Sequence, residues 1–195
     1  MRLERTFHCG VSQAGTGSDA PPPSPSLSVM DPFSCSVYTG VSFLYSPLIL
    51  GNDVRNMSAD DLAVVSNKLA IDVNQGWAGF AGDMLNYSQY PPKNESKHNV
   101  TQVPALSVWW KPLPNNSAAA VLFNQRGGGD VTISFRFEEL QWQGRAALAG
   151  TQNCRVTSVW DGDGGSGKEV GVFGHSFSAQ VAGGSVFFGI VSGCE

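Results

Sequence analysis

Residues 162–169 read Gly-Asp-Gly-Gly-Ser-Gly-Lys-Glu, which meets the spacing of a phosphate-cradling loop: glycine, four residues, then Gly-Lys. Such a loop needs a serine or threonine after the lysine to ligate Mg²⁺, and a helix N-terminus behind it to hold the anion. Here Glu169 follows Lys168, and a strand, not a helix, is expected next. The pattern therefore reads as a hairpin turn. Asp161 and Asp163 open like a calcium loop, but Gly165 stands at the third ligand position and Val172 at the twelfth, where a chelating carboxylate is required. Asp161, His175 and Ser176 supply the residue types of a serine triad. Neighbours on a strand point to opposite faces, so His175 and Ser176 cannot serve one substrate together. The other histidines, His8 and His98, lie in polar stretches.

Two further residue sets bear on chemistry. Trp109, Trp110, Trp142 and Trp160 carry flat apolar faces that stack on sugar rings when exposed, although in a sandwich one aromatic per strand is more often core. Adjacent Trp109 and Trp110 must face opposite sides, so at least one is expected on a surface or beneath a neighbouring domain. Five acceptor patterns for N-glycosylation start at Asn56, Asn86, Asn94, Asn99 and Asn115. The cysteines Cys9, Cys35, Cys154 and Cys194 lack CxxC spacing, which gives a zinc site weak support and leaves room for one or two disulfides. Cys154 with Cys194 is the preferred pair.

The elements that position these residues follow from the totals and the periodicity. A length of 195 residues with 42% apolar composition suits one globular domain or slightly more. With 12 Lys and Arg against 16 Asp and Glu the formal charge is −4, and no basic cluster interleaves with aromatics, so nucleic acid is not an expected partner. Apolar runs fall far short of the roughly 20 residues that cross a bilayer, so no membrane partner is expected. The first residues lack the apolar core of a secretory signal, so no export signal is expected in the chain as it stands.

Residues 1–36, with Gly, Ser and Pro runs and no apolar periodicity, are expected to be disordered. Residues 37–45 suit a short helix ending before Pro47. Leu48, Ile49 and Leu50 suit a strand buried on both faces, as in a parallel sheet covered by helices. Gly51-Asn52-Asp53 follow as a turn, Ser58 is placed as an N-cap, and Leu62, Val65 and Leu69 mark a buried helical stripe. Residues 76–101 read as a surface connection. Beyond it the period becomes two: Val131, Ile133, Phe135 and Phe137 point one way, Thr132, Ser134 and Arg136 the other. Strands are expected near 106–110, 119–123, 131–137, 155–160, 177–181 and 185–191, which makes residues 102–195 an antiparallel β-sandwich of Greek-key type or a small barrel.

Residues 46–75, Ser-Pro-Leu-Ile-Leu-Gly-Asn-Asp through Asp-Val-Asn-Gln, resemble the last strand, loop and helix of the catalytic (β/α)₈ barrel in the eukaryotic α-galactosidase and α-N-acetylgalactosaminidase family. The segment Val108-Trp109-Trp110-Lys111-Pro112-Leu113, the run Ala118–Gln125 and the stretch 159–191 are similar to strands of that family's C-terminal sandwich. The family's Asn-Gln-Asp-Pro segment appears here as Asn74-Gln75-Gly76-Trp77, without Asp-Pro. The resemblance covers residues 37 onward and implies four parts: 1–36 unmatched, 37–75 the last barrel unit, 76–101 a connection and 102–195 the sandwich.

It also implies hydrolysis of terminal α-linked galactose with retention, without metal or organic cofactor, in a secreted, vacuolar or lysosomal protein. A barrel needs roughly 250 residues, and the two catalytic aspartates of the family, held about 5–5.5 Å apart in a retaining site, fall on strands with no counterpart here. Only Asn52 and Asp53 correspond to an active-site rim. The expectation is therefore a fragment, from an incomplete or mis-assembled coding sequence, that does not turn over α-galactosides and whose unpaired strand edges favour association, a homo-oligomer included. The alternative is a non-catalytic module binding glycan or a partner protein through exposed tryptophans.

Overall fold

The computed structural model describes residues 47–48, 54–85, 106–125, 129–142, 145–162 and 165–195. The expected disorder of 1–36, the helix over 37–45, most of the strand at Leu48–Leu50 and the turn holding Asn52 and Asp53 lie outside these residues. Among the described residues no helix is long and apolar enough to cross a membrane.

The helical part opens with a 3₁₀ turn, Val54–Asn56, and two short helices, α1 (Ala59–Val65) and α2 (Lys68–Gln75). Ser58 caps α1 as its sequence position predicts: its hydroxyl accepts from the Asp61 amide at 3.0 Å and donates to the Asp61 carboxylate at 2.7 Å. The expected stripe is corrected in part. Leu62 is 53% exposed, and Val64, Ala70 and Val73 are the buried residues, with Leu69 packed partly against them. The cause is a break at Ser66-Asn67. Both amides bond back to α1 carbonyls, Ser66 to Leu62 and Asn67 to Val64, and α2 then starts afresh with a shifted phase.

Among the described residues ten strands follow: β1 (Asp83–Met84), β2 (Leu106–Leu113), β3 (Ser117–Asn124), β4 (Val131–Arg136), β5 (Gln141–Trp142), β6 (Arg145–Ala146), β7 (Cys154–Ser158), β8 (Lys168–Phe173), β9 (Ser176–Val181) and β10 (Ser185–Ser192). β1 falls inside the stretch read as a surface connection and pairs with Trp109 and Trp110 of β2. A six-stranded sheet runs β1-β2-β3-β10-β7-β8, every pair antiparallel, and β4-β9 and β5-β6 form two further pairs. The protein is mainly antiparallel β, a sandwich in which β4-β9 packs on the larger sheet.

Register decides which side chains share a face, because residues directly opposite on paired strands project the same way. Trp110 lies opposite Ala120, and Ala120 opposite Gly189, so these three share a face with Val108, Leu122, Phe187 and Val191. That face meets the β4-β9 pair: Phe187 lies 4.9 Å from Phe177, which also meets Phe135 at 6.0 Å and Phe173 at 5.0 Å. Ile133, Phe135 and Phe137 are buried while Thr132 and Arg136 are exposed, as the period-two pattern of β4 requires. Each buried Phe contributes about 1.5–3 kcal/mol by leaving water. Buried Asn124, at the end of β3, donates to Val181 O of β9 at 3.0 Å and so joins the two sheets. The opposite face of the large sheet carries Lys111 and Phe188, and it receives the helices.

Candidate functional site

The polar chemistry of this molecule collects where α2 meets the large sheet. Asn67 makes two bonds of opposite kind. Its carbonyl oxygen accepts from the Ala70 amide at 3.0 Å, which caps α2, and its amide donates to Val159 O, just past β7, at 3.0 Å. It is buried, so both ends need those partners. At the other end of α2, Lys111 rises from β2 with no exposed surface and donates to Val73 O at 2.5 Å and Asn74 O at 3.0 Å. These carbonyls belong to the last turn of α2, where the helix leaves acceptors unsatisfied and the dipole favours a cation. Burial lowers the Lys111 pKa from 10.5 to about 8, by penalising the charged form. Neither residue was singled out by sequence reasoning. The signals were an asparagine ahead of Lys68-Leu69-Ala70 inside a helical pattern, and a lysine inside the apolar run Val-Trp-Trp-Lys-Pro-Leu.

The glycine-rich segment is a hairpin turn between paired strands β7 and β8, and no helix follows it. Gly162 and Gly167 hold left-handed φ values of 124° and 71°, and a Cβ on Gly162 would fall 2.3 Å from Gly167 O. Only glycines close this turn. Asp163 lies outside the described residues, and among the described residues no three His, Cys, Asp or Glu side chains gather to hold a metal. Asp161 precedes β8 and His175 follows it, in the bend before Ser176. The six-residue strand β8, about 20 Å long, runs between them in the chain. His175 lies in that bend and not in a strand, and its carbonyl accepts from Phe137 N at 3.0 Å.

Trp110 is 2% exposed, with Phe80 edge-on at 5.1 Å, and Trp160 is buried against Phe188 at 5.9 Å. Trp109 is half-buried and donates from Nε1 to Ser107 Oγ at 3.0 Å. The side chain of Trp142 lies outside the described residues. Cys154 and Cys194 are joined as a disulfide, tying β7 to the residues after β10. Asn56 and Asn115 are exposed, whereas Asn52, Asp53, Asn86, Asn94 and Asn99 lie outside the described residues, as do Cys9 and Cys35.

Residues 104–188 match the family model of the alpha-galactosidase C-terminal beta sandwich domain. Residues 104–188 are thus similar to the C-terminal sandwich domain of alpha-galactosidases. The matched span starts just before β2 and ends within β10, so it takes in both sheets of the sandwich, Lys111 included. An alpha-galactosidase of Oryza sativa subsp. japonica is 33% identical over 103 residues, which are 53% of this chain and 21% of the relative. Alpha-galactosidase I from Mortierella vinacea superposes with a TM-score of 0.64 at 19% identity, covering 84% of this chain and 36% of that one. The alpha-galactosidase of Saccharomyces cerevisiae with raffinose superposes with a TM-score of 0.62 at 16% identity, over 85% of this chain and 44% of that one. These two likenesses establish the α-galactosidase sandwich fold. The chain spans about a fifth of the length of the rice α-galactosidase.

Proposed function

We propose that this chain is the closing portion of a retaining α-galactosidase: the last βα unit of a catalytic barrel, followed by the accessory sandwich. The observation that carries the reading is the docking of α2. Lys111 and Asn67 hold the helix at both ends against a sheet whose strands match the family's C-terminal domain. In a complete enzyme that docking fixes the helix following the eighth barrel strand, and with it the loop of Asn52 and Asp53 at the rim of the sugar site. The substrate of the complete enzyme is a terminal α-linked galactoside.

The 195-residue chain by itself has no role for these residues in bond cleavage, because a retaining site needs a nucleophile and an acid/base carboxyl about 5–5.5 Å apart. The aspartates of the family motifs have no counterpart in its sequence. The purified chain is therefore expected to release no p-nitrophenol from p-nitrophenyl α-galactoside, and turnover that co-purifies with the chain through successive columns refutes the reading. The Cys154–Cys194 disulfide supports maturation in an oxidising compartment, in keeping with a secreted, vacuolar or lysosomal enzyme.

A further inference from the structure

We infer that Asn115, at the tip of the β2–β3 hairpin, is an N-glycosylated residue of this protein. The sequence Asn115-Asn116-Ser117 is an acceptor pattern, but such patterns are common, and the structure sets this one apart from Asn56. β2 and β3 pair until Leu113 faces Ser117, leaving Pro114, Asn115 and Asn116 as the turn, and all three are exposed. Asn115 and Asn116 take φ values of 63° and 53°, a left-handed conformation that asparagine tolerates better than other residues with a Cβ. Asn115 thus stands clear of the sheet, and a sugar on its amide nitrogen displaces no packed side chain.

The turn backbone is closed by Ser117, whose hydroxyl donates to Pro114 O at 2.7 Å, so the conformation does not rely on the Asn115 side chain. Asn56, the other described acceptor, is a less open site: it ends a 3₁₀ turn, and Met57 beside it is half-buried. A second, independent observation points to the compartment in which glycans are added. Cys154 and Cys194 form a disulfide across the same domain, and such bonds form and persist in oxidising, secretory environments. The hairpin tip also abuts the end of α2: a Cβ on Gly76 would lie 3.2 Å from Leu113 and 3.3 Å from Pro114. The inference does not depend on catalysis and stands whether or not the chain turns over a galactoside.

The test expresses the full chain behind a cleavable secretion leader in yeast and reads Asn115 directly. Peptide N-glycosidase F in heavy-oxygen water converts an occupied asparagine to a labelled aspartate. Labelled Asp at position 115 is expected, together with one fewer glycan step on gels for Asn115→Gln and Ser117→Ala, and an unchanged pattern for Ser117→Thr, which keeps the acceptor. Reading the endoplasmic reticulum fraction as well as the medium covers variants that fail to leave the cell. Unlabelled Asn115 in both fractions, or an Asn115→Gln chain with an unchanged number of glycan steps, overturns the inference.

Discussion

Raising the pH should stabilise this fold through Lys111. The side chain is fully buried, donates to Val73 O and Asn74 O, and has its pKa lowered from 10.5 to about 8 by desolvation. Below about pH 8 Lys111 is protonated in both states, and the fold bears the whole cost of a buried ammonium. Between about 8 and 10.5 the unfolded chain keeps a proton that the folded chain has released, so stability rises with pH until the unfolded lysine also deprotonates. Each pH unit of that displacement is worth about 1.4 kcal/mol, which gives about 3 kcal/mol across the window. Lys111→Met removes the titration while filling much of the same volume. Urea midpoints for both proteins, at pH values spanning the window, cancel the other titrating groups in the difference. The stability of the parent relative to Lys111→Met should rise by about 3 kcal/mol. Parallel profiles, or a relative fall, refute the assignment of Lys111 as a desolvated cation buried against the last turn of α2.

Three further perturbations test the packing. Asn67→Ala removes the cap on α2 and leaves buried Val159 O unpaired, a loss of about 2–4 kcal/mol that should appear as a lower urea midpoint at constant slope. Cys154→Ser opens a loop closed across a sequence separation of 40, and the loop-entropy estimate is about 4 kcal/mol; thermal scans with and without reductant should converge in this variant alone. Gly167→Ala places a methyl 2.6 Å from Ser158 O and 2.5 Å from Leu69 Cδ1 at a φ of 71°, so it should cost about 2–5 kcal/mol, read by chemical denaturation.

The β half of the molecule was open to reading because its signals are local. Alternation in β4 put Ile133, Phe135 and Phe137 inside, and the glycines of 162–167 marked a hairpin because only they accept its backbone angles. The Ser58 cap was equally plain, since capping is decided within three residues. The helical stripe was not. Leu62, Val65 and Leu69 fit one continuous helix, and the break at Asn67 is set by a bond to Val159, 92 positions away. β1 was missed for a similar reason: two residues carry no periodicity, and they are a strand only because Trp109 and Trp110 offer an edge. The junction of α2 with the sheet was hidden in the same way, because a lysine amid apolar residues shows that it is unusual and not what it will hold.

The hydrogen bonds that Lys111 and Asn67 send across that junction end on main-chain carbonyls. Lys111 takes the carbonyls of residues 73 and 74, and Asn67 takes that of residue 159. A bond to a main-chain carbonyl follows the path of the chain and does not depend on which side chain that residue carries. The outward surface of α2 is thereby free to change with whatever lies against it while the angle between helix and sheet is kept.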